Sequence, residues 1–296
     1  MNDAIDKKSR SSAFAWRLLR IAGLGLAGTC LAAWLLAVGY LYIEQRHLLF
    51  FPEPETEALA IKGLALQDVR IHTTDGETLQ ALYEAPRPGQ PVILFLHGQS
   101  GTLMMGKWRY IRMHKQGVGY LALAYRGYSG STGTPSEKGL LIDGLAAYDW
   151  LKAKGFRDSD IVIHGHSLGT GVANYVATQR PARALILEAP FTAASDVGAE
   201  RYPLIPVSFL MKDKFLNRER IRDVHMPVLI AHGDKDSVIP FQEGERLYAL
   251  ANQPKVFVRM HRSEHNTLTR DGVYPYYWKF LGLPETDVDP AIVIGK

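Results

Sequence analysis

A serine between glycines offers the clearest chemistry in this sequence. The pattern Gly165-His-Ser167-Leu-Gly169 follows a short apolar run, and it precedes a segment in which Val172 and Val176 have helical spacing. A strand that turns sharply into a helix strains the backbone of the serine, so bulky neighbours would clash and glycines are needed. Such a turn exposes the hydroxyl near the start of a helix. The pattern therefore predicts a nucleophile elbow with Ser167 as the nucleophile, rather than a glycine-rich turn without chemistry.

A serine needs a neighbouring base to become a good nucleophile, and later residues offer one. Asp234 and Asp236 follow one predicted strand near the C-terminal end, and His261 and His265 follow the next. Side chains just past the ends of parallel strands meet at one edge of the sheet. In the order serine, acid, histidine, either aspartate and either histidine could complete a triad.

The elements that must position these residues begin at about Leu66. Short apolar or alternating runs, which predict strands, lie at residues 68–72, 78–84, 91–96, 119–125, 160–163, 184–187, 228–231 and 255–260. The first two flank Asp75-Gly76 and predict a hairpin. Helical segments, such as residues 136–154, lie between the later runs. This alternation predicts an α/β domain in which helices cover both faces of a mostly parallel, eight-stranded sheet.

Taken together, these motifs resemble the α/β-hydrolase superfamily, and most closely its small membrane-associated branch of α/β-hydrolase-domain proteins. The resemblance covers roughly residues 68–281. Besides the elbow, it rests on four matches: His97-Gly98 after the third strand, the loop 125–131 after the fourth, Gly233 and Asp236 followed by Ile239-Pro240, and His265-Asn266. The fold that it implies is the α/β-hydrolase fold.

The resemblance also implies a role for individual residues. Ser167 corresponds to the nucleophile, His265 to the general base and Asp236 to the acid that orients the base. Asp234 is the competing acid and His261 the competing base, but His261 stands closer to its strand and lacks an asparagine neighbour. The other eight histidines are interpreted as surface or packing residues.

An acyl-transfer enzyme also needs donors for the negative charge that develops on the substrate oxygen. The resemblance implies that the backbone N–H groups of Leu168 and Gln99 form this oxyanion hole. Arg126 is interpreted as a residue that pins a glycine-rich loop, not as a catalytic group. The insert at residues 191–223 has the position of a short lid, and three roles stay open for it: packing on the core, lining an acyl pocket and touching a bilayer.

The N-terminal residues predict a membrane anchor. Residues 21–43 carry no charge, and these 23 residues reach roughly 34 Å as a helix, which spans a bilayer core. A cleaved signal peptide has a shorter apolar core and a small-residue cleavage site. Five Lys/Arg residues precede the apolar stretch, whereas Arg46 and then three glutamates follow it. The positive-inside rule therefore predicts a cytoplasmic N-terminus and a catalytic domain on the non-cytoplasmic side, periplasmic in a bacterium.

These features divide the chain of 296 residues into a cytoplasmic tail (1–20), a transmembrane helix (21–43), a linker (44–65), an α/β-hydrolase domain (66–284) and a C-terminal tail (285–296). The net charge is +4 and its excess lies in the first twenty residues, so the sequence favours no nucleic-acid partner. The single cysteine, Cys30, excludes an internal disulfide and a cysteine metal cluster. No metal or organic cofactor is expected.

The sequence thus predicts a membrane-anchored serine hydrolase that cleaves a carboxylic ester or thioester, acting on an acyl ester or a lipid-like molecule. Acyl transfer to an alcohol, or peptidase action, would use the same triad. A non-catalytic, membrane-anchored binding protein is the remaining alternative, although such a protein has no need of serine, aspartate and histidine together.

Overall fold

The structure, a computed structural model, describes residues 2–284. The chain separates into two compact units, one ending at Gln45 and one beginning at Arg46. The first unit lies within a single long helix, α1 (Asn2–Leu49). The predicted C-terminal tail, residues 285–296, lies outside the described residues.

Helix α1 contains the predicted transmembrane segment. Within residues 2–284, Trp16–Leu49 is the one helical stretch long and apolar enough to cross a membrane, by length and composition. Its large apolar side chains, such as Leu24, Leu36 and Ile43, are exposed. A helix that exposes apolar side chains all round is suited to an apolar phase such as a bilayer.

The part of the second unit that the structure describes contains ten strands. They are β1 (Phe51–Pro52), β2 (Gln67–His72), β3 (Thr78–Glu84), β4 (Val92–Leu96), β5 (Ser100–Gly101), β6 (Gly119–Leu123), β7 (Ile161–His166), β8 (Ala184–Glu188), β9 (Val228–Gly233) and β10 (Lys255–Met260). Strands β1 and β5 pair only with each other. The other eight form one sheet in the order β10-β9-β8-β7-β4-β6-β3-β2.

Most pairs in this sheet are parallel. Strand β3 is antiparallel to both β2 and β6, and every other neighbouring pair is parallel. The hairpin predicted around Asp75-Gly76 joins β2 to β3. Strands β4, β6 and β8 are buried along their whole length, as expected for parallel strands covered on both faces. The structure therefore confirms the predicted mostly parallel, eight-stranded sheet.

Within residues 46–284, eight further α-helices connect or cover the strands. They are α2 (Lys107–Gln116), α3 (Glu137–Ala153), α4 (Gly169–Gln179), α5 (Ala194–Arg201), α6 (Val207–Leu210), α7 (Asn217–Arg220), α8 (Phe241–Leu250) and α9 (Tyr274–Phe280). Helix α3 begins where the sequence predicts, because the Ser136 hydroxyl accepts the Gly139 N–H at 3.1 Å and caps the first turn.

Helices α5, α6 and α7 form the insert at residues 191–223. Phe191, Phe215 and Ile221 of this insert are buried in the hydrophobic core. Leu204 and Phe209, in contrast, are 80% and 84% exposed. The insert therefore packs on the core through its two ends and presents large apolar side chains to the outside in its middle.

Candidate active site

The elbow at Ser167 lies between β7 and α4. Ser167 has a φ of 52°, a left-handed conformation that is strained for a residue with a side chain. The turn is so tight that a Cβ added to Gly169 would lie 2.1 Å from the Leu96 carbonyl oxygen, and one added to Gly165 would lie 2.4 Å from the Gly169 oxygen. Only glycine fits at both positions, which is the physical reason for the pattern seen in the sequence.

The structure brings Ser167, His265 and Asp236 together from the ends of β7, β10 and β9. The Ser167 Oγ lies 2.8 Å from His265 Nε2, and His265 Nδ1 lies 2.7 Å from Asp236 Oδ2. All three side chains are buried or nearly so. A carboxylate can only accept a hydrogen bond, so His265 donates from Nδ1 and presents the lone pair of Nε2 to the serine hydroxyl.

Asp236 is held as a charged acceptor by its surroundings. Burial alone would raise the pKa of Asp236, but hydrogen bonds from His232 and His265 lower that pKa well below its usual range. The backbone N–H groups of Val238 and Ile239 donate to the other carboxylate oxygen at 2.9 and 2.8 Å. Asp236 is therefore ionised at neutral pH and fixed in orientation.

The competing pair, Asp234 and His261, lies on the surface side of the same strand ends. His261 Nδ1 is 3.0 Å from Asp234 Oδ2, but the His261 side chain is 45% exposed. Asp234 also accepts hydrogen bonds from Arg259 and from the backbone N–H of Arg262. These contacts direct Asp234 towards the loop after β10, and the structure does not bring this pair to Ser167.

The two predicted oxyanion donors flank the nucleophile. Within residues 2–284, the backbone N–H groups of Leu168 and Gln99 have no hydrogen-bond acceptor. The loop after β4 approaches the elbow so closely that a Cβ added to Gly98 would lie 3.3 Å from the Ser167 Cβ. The two N–H groups belong to the two loops that meet at Ser167, as an oxyanion hole requires.

A histidine orients the peptide that carries the Gln99 N–H. Burial lowers the pKa of His97 to about 4, so the ring is neutral at physiological pH. His97 Nδ1 lies 2.8 Å from the Gly98 carbonyl oxygen, which can only accept, so Nδ1 donates. The Gly98 carbonyl belongs to the same planar peptide group as the Gln99 N–H, and this hydrogen bond therefore fixes the direction of that donor.

A cavity of about 810 Å³ opens over the triad, a size typical of small-molecule sites. The side chains that line it include Phe95, Leu103, Met105, Trp108, Leu123 and Val238, together with Arg109, Arg112 and Arg270. The cavity thus combines an apolar wall with three guanidinium groups.

A buried charged cluster stands behind the elbow, and sequence reasoning missed it. The fully buried Glu188 carboxylate accepts hydrogen bonds from the two terminal guanidinium nitrogens of Arg109, at 2.6 and 2.7 Å, and from the Tyr277 hydroxyl at 2.8 Å. Burial alone would raise the pKa of Glu188, but the charge of Arg109 and the hydrogen bonds hold it well below its usual range. The Glu188 carbonyl also accepts the Ser167 N–H at 2.9 Å, so the cluster fixes the strand end on which the elbow rests. A glutamate closing an apolar run was the available signal, because a buried carboxylate needs a partner.

Two further histidines contact the triad, although the sequence placed them among surface or packing residues. His232 Nε2 lies 3.3 Å from Asp236 Oδ2. The His166 ring lies beside that of His265, with centroids 5.4 Å apart, and burial lowers the pKa of His166 to about 3. A neutral His166 adds no positive charge next to the base. Both residues stand at strand ends, which was the only sequence signal for them.

Arg126 ties together the hairpin, its own loop and helix α3. Its guanidinium binds Asp75 at 2.8 and 3.0 Å and Asp143 at 2.8 and 2.9 Å. The hydrogen bond from Arg126 lowers the pKa of Asp75 to about 2. These ion pairs are what the pinning interpretation of Arg126 requires.

As for metals, no cluster of three or more His, Cys, Asp or Glu side chains suited to a metal ion occurs in residues 2–284.

Comparison with known proteins agrees with this geometry. The model of the α/β hydrolase family matches residues 93–231. An uncharacterized protein of Mycobacterium tuberculosis is 38% identical over 231 residues, which cover 77% of this chain and 82% of that protein. Lysophosphatidylserine lipase ABHD12 of Rattus norvegicus is 33% identical over 230 residues, which cover 70% of this chain and 57% of that protein. Among solved structures, the esterase Pf2001 of Pyrococcus furiosus shares the fold, with a TM-score of 0.63, 18% identity and coverage of 79% of this chain and 97% of that chain.

The fold and the arrangement at the strand ends define an α/β hydrolase. The chain belongs to the α/β-hydrolase superfamily, within its branch of α/β-hydrolase-domain proteins. It is accordingly a hydrolase, and a lysophosphatidylserine lipase is among its relatives.

Proposed function

We propose that this chain is a membrane-anchored serine hydrolase that cleaves a carboxylic ester or thioester through an acyl-serine intermediate. The observation that carries the proposal is the continuous hydrogen-bonded chain from Ser167 Oγ through His265 to Asp236. A serine hydroxyl, a base within hydrogen-bond distance and a group that orients the base are the requirements for nucleophilic catalysis.

In the first half of the reaction, Ser167 Oγ attacks the carbonyl carbon of the substrate. His265 Nε2 takes the serine proton, and Asp236 stabilises the imidazolium that forms. The carbonyl oxygen becomes an anion, which the N–H groups of Leu168 and Gln99 stabilise. His265 then gives its proton to the leaving alcohol or thiol as the carbon–oxygen or carbon–sulfur bond breaks, and an acyl-serine remains.

In the second half, water takes the place of the leaving group. His265 removes a proton from the water as its oxygen attacks the acyl carbon, and the same two N–H groups stabilise the second anion. The bond to Ser167 Oγ breaks, the serine regains its proton from His265, and the carboxylic acid leaves.

For the substrate, we propose a single-chain lipid ester with an anionic headgroup. The apolar side of the cavity, which includes Phe95, Leu103 and Leu123, suits an acyl chain, and Arg112 and Arg270 suit a phosphate or carboxylate. The name of the ABHD12 relatives, lysophosphatidylserine lipase, describes a substrate of this kind.

The membrane anchor is part of the proposal. Residues 21–43 are proposed to span the bilayer and residues 1–20 to lie in the cytoplasm, which leaves the hydrolase domain, proposed as residues 66–284 with its lid at 191–223, on the other side. Support comes from the exposed apolar surface of α1 and from the five Lys and Arg residues that precede residue 21.

Activity-based labelling tests the proposed nucleophile. A fluorophosphonate probe should label the full-length chain, and Ser167→Ala should abolish labelling, because among the described side chains no other serine contacts His265. Ser195→Ala, at another buried serine, is the matched control and should be labelled normally. Undiminished labelling of the Ser167→Ala protein would remove Ser167 from the mechanism.

A pair of substrates tests the proposed headgroup. Lysophosphatidylserine and a neutral monoacylglycerol with the same acyl chain would be compared in the wild type and in Arg112→Gln/Arg270→Gln. Loss of activity should be confined to the anionic substrate, and the exposed surface variant Arg157→Gln should change neither rate. Equal losses on both substrates would exclude a headgroup role for these arginines. Addition of short alcohols to the same assay would show whether acyl transfer competes with hydrolysis.

Reporter fusions test the orientation. Two C-terminal fusions in a bacterial host, one active only in the periplasm and one only in the cytoplasm, should give a periplasmic signal. A signal from the cytoplasmic reporter alone would contradict the proposed orientation while leaving the chemistry untouched.

A further inference from the structure

The last turn of α1 and the residues that follow it make specific contacts with the rest of the second unit. We call residues 46–57 the juxtamembrane segment. Its first residue, Arg46, binds the buried Asp213 through Nε at 2.9 Å. Phe50 is only 3% exposed and its ring meets that of the buried Phe215, with centroids 6.4 Å apart. This part of the predicted linker therefore has a fixed place on the domain.

The same segment pairs with the loop that carries Gln99. Strand β1 runs parallel to β5, with Phe51 opposite Ser100 and Pro52 opposite Gly101. The Phe51 N–H donates to the Gln99 carbonyl at 2.8 Å. The hydroxyl of the buried Tyr128 donates to the same carbonyl at 2.7 Å.

Two later residues of the juxtamembrane segment also contact loops at the cavity. The Glu53 carbonyl accepts the Ser129 N–H at 3.1 Å, and the Ser129 hydroxyl accepts the N–H of Leu103 at 3.3 Å. Glu55 Oε2 accepts the Met104 N–H at 3.2 Å. Leu103, like Gln99, lines the cavity over the triad. The juxtamembrane segment thus supports the rim of the cavity at successive points.

These contacts restrain the backbone of Gln99. His97 holds the Gly98 carbonyl on the N-terminal side of Gln99. Phe51 and Tyr128 hold the Gln99 carbonyl on the C-terminal side. Both peptide planes next to the Gln99 Cα are therefore restrained, although the loop contains glycines at positions 98 and 101 that would otherwise leave it mobile. A donor that is already aligned before the anion forms stabilises it without a cost of reorganisation.

We propose that the juxtamembrane segment is a positioning element of the active site: the Phe51–Gln99 hydrogen bond and the β1–β5 pairing hold the Gln99 peptide in the orientation that stabilises the oxyanion. This inference rests on the proposed function, since it takes Gln99 to be an oxyanion donor. It gives the backbone of the residues that follow the membrane helix a positioning role, where the sequence alone predicts a linker.

A matched pair of substitutions in the full-length chain tests the inference. Phe51→Pro removes the N–H that binds Gln99, whereas Phe51→Ala keeps this N–H and removes only an exposed side chain. The measurements are kcat and KM for a short-chain ester and the inhibition constant of a trifluoromethyl ketone, whose tetrahedral adduct places an anion in the oxyanion hole. Melting temperature reports whether each variant is folded.

Phe51→Pro should lower kcat on the order of 10-fold, since complete loss of one oxyanion donor costs roughly 10²- to 10³-fold. KM should stay unchanged, and the inhibition constant should rise by the same factor as kcat falls, because only the anionic state uses the donor. Phe51→Ala should match the wild type. A folded Phe51→Pro protein with the kinetics of Phe51→Ala would overturn the inference.

A second variant covers the case in which Phe51→Pro does not fold. Tyr128→Phe removes the other donor to the Gln99 carbonyl and leaves the backbone intact. It should give the same pattern with a smaller effect, about 5-fold in kcat, and unaltered kinetics would again overturn the inference. Absence of hydrolysis that depends on Ser167 in the wild type would instead contradict the proposed function, so the two failures are distinguishable.

Discussion

Two aspartate–histidine pairs stand side by side at the ends of β9 and β10, and only one of them reaches the nucleophile. His265 Nδ1 lies 2.7 Å from Asp236 Oδ2, and His261 Nδ1 lies 3.0 Å from Asp234 Oδ2. Both pairs therefore have a hydrogen bond of the kind found in a triad. The first pair is buried and continues to Ser167. The second ends at the exposed ring of His261. A hydrogen bond between an aspartate and a histidine is thus insufficient evidence of a catalytic triad. The histidine must also contact a nucleophile, and the pair must be shielded from water.

The difference between the pairs comes from the backbone of the loop after β9. Asp234 continues the direction of the strand and binds the loop after β10. Two residues later the chain has turned, and the N–H groups of Val238 and Ile239 bind the Asp236 carboxylate. In the buried surroundings of Asp236 an interaction between charges is stronger than at the surface. The two aspartates should therefore differ by orders of magnitude in their effect on catalysis.

The largest effect is expected for the buried pair. His265→Ala and Asp236→Asn should each lower kcat on the order of 10⁴-fold, because removal of the base or loss of its correct tautomer disables the triad as a unit. Steady-state hydrolysis of a chromogenic ester would measure the loss, and circular dichroism would confirm that both variants are folded. A stronger loss for Asp234→Asn than for Asp236→Asn would reverse the assignment of the acid.

An intermediate effect on kcat is expected for His232, whose Nε2 contacts the Asp236 carboxylate. His232→Phe removes the donor at 3.3 Å while keeping an aromatic ring beside Phe241. A hydrogen bond to a charged group contributes roughly 1.5–3 kcal/mol, so kcat should fall about 10-fold or more. His225→Phe, at an exposed histidine, is the control and should have wild-type activity. Equal activities for the two variants would show that Asp236 needs no support from His232.

A small effect on activity is expected for the exposed pair. Asp234→Asn and His261→Ala should change kcat by no more than about 3-fold, since surface ion pairs contribute little and neither group contacts Ser167. The same ester assay applies, with the Asp236→Asn protein as the positive control. A loss above 100-fold in either variant would mean that the exposed pair takes part in the reaction.

The smallest effect is expected for the free energy of unfolding of Asp234→Asn and for the dependence of that free energy on pH. Burial tends to raise the pKa of Asp234, but hydrogen bonds from Arg262, His261 and Arg259 make the net shift downward. Because the pKa of Asp234 is lower in the folded state, the charged carboxylate stabilises the fold at any pH above its ordinary pKa. This contribution is lost as the pH falls from the ordinary pKa through the lowered pKa of the folded state. Asp234→Asn should therefore lower the free energy of unfolding at pH 7 by at most about 1 kcal/mol. Urea titrations of both proteins should show this difference shrinking at pH 3, and a difference that grew in acid would contradict the direction of the shift.

Much of the fold followed from local pattern. Apolar runs of four to seven residues alternating with helical segments specify buried parallel strands and their covering helices, because each element must hide its apolar face. The elbow was equally readable, since the geometry of the turn admits only glycine at positions 165 and 169. The strand-end positions of Asp236 and His265 followed from the same pattern, although the choice between them and their neighbours rested on the family resemblance.

What the sequence determined by itself was therefore every feature with a periodicity or a steric rule: the long apolar helix, the order of strands and helices, the elbow and the strand ends that carry the candidate acid and base. Only the tertiary structure decided which aspartate–histidine pair meets Ser167, that Glu188 binds Arg109 across 79 positions of the chain, and that Phe51 pairs with the Gln99 loop. Such contacts leave no local signal, because a two-residue strand has no period and a buried ion pair depends on two segments that are neighbours only after folding.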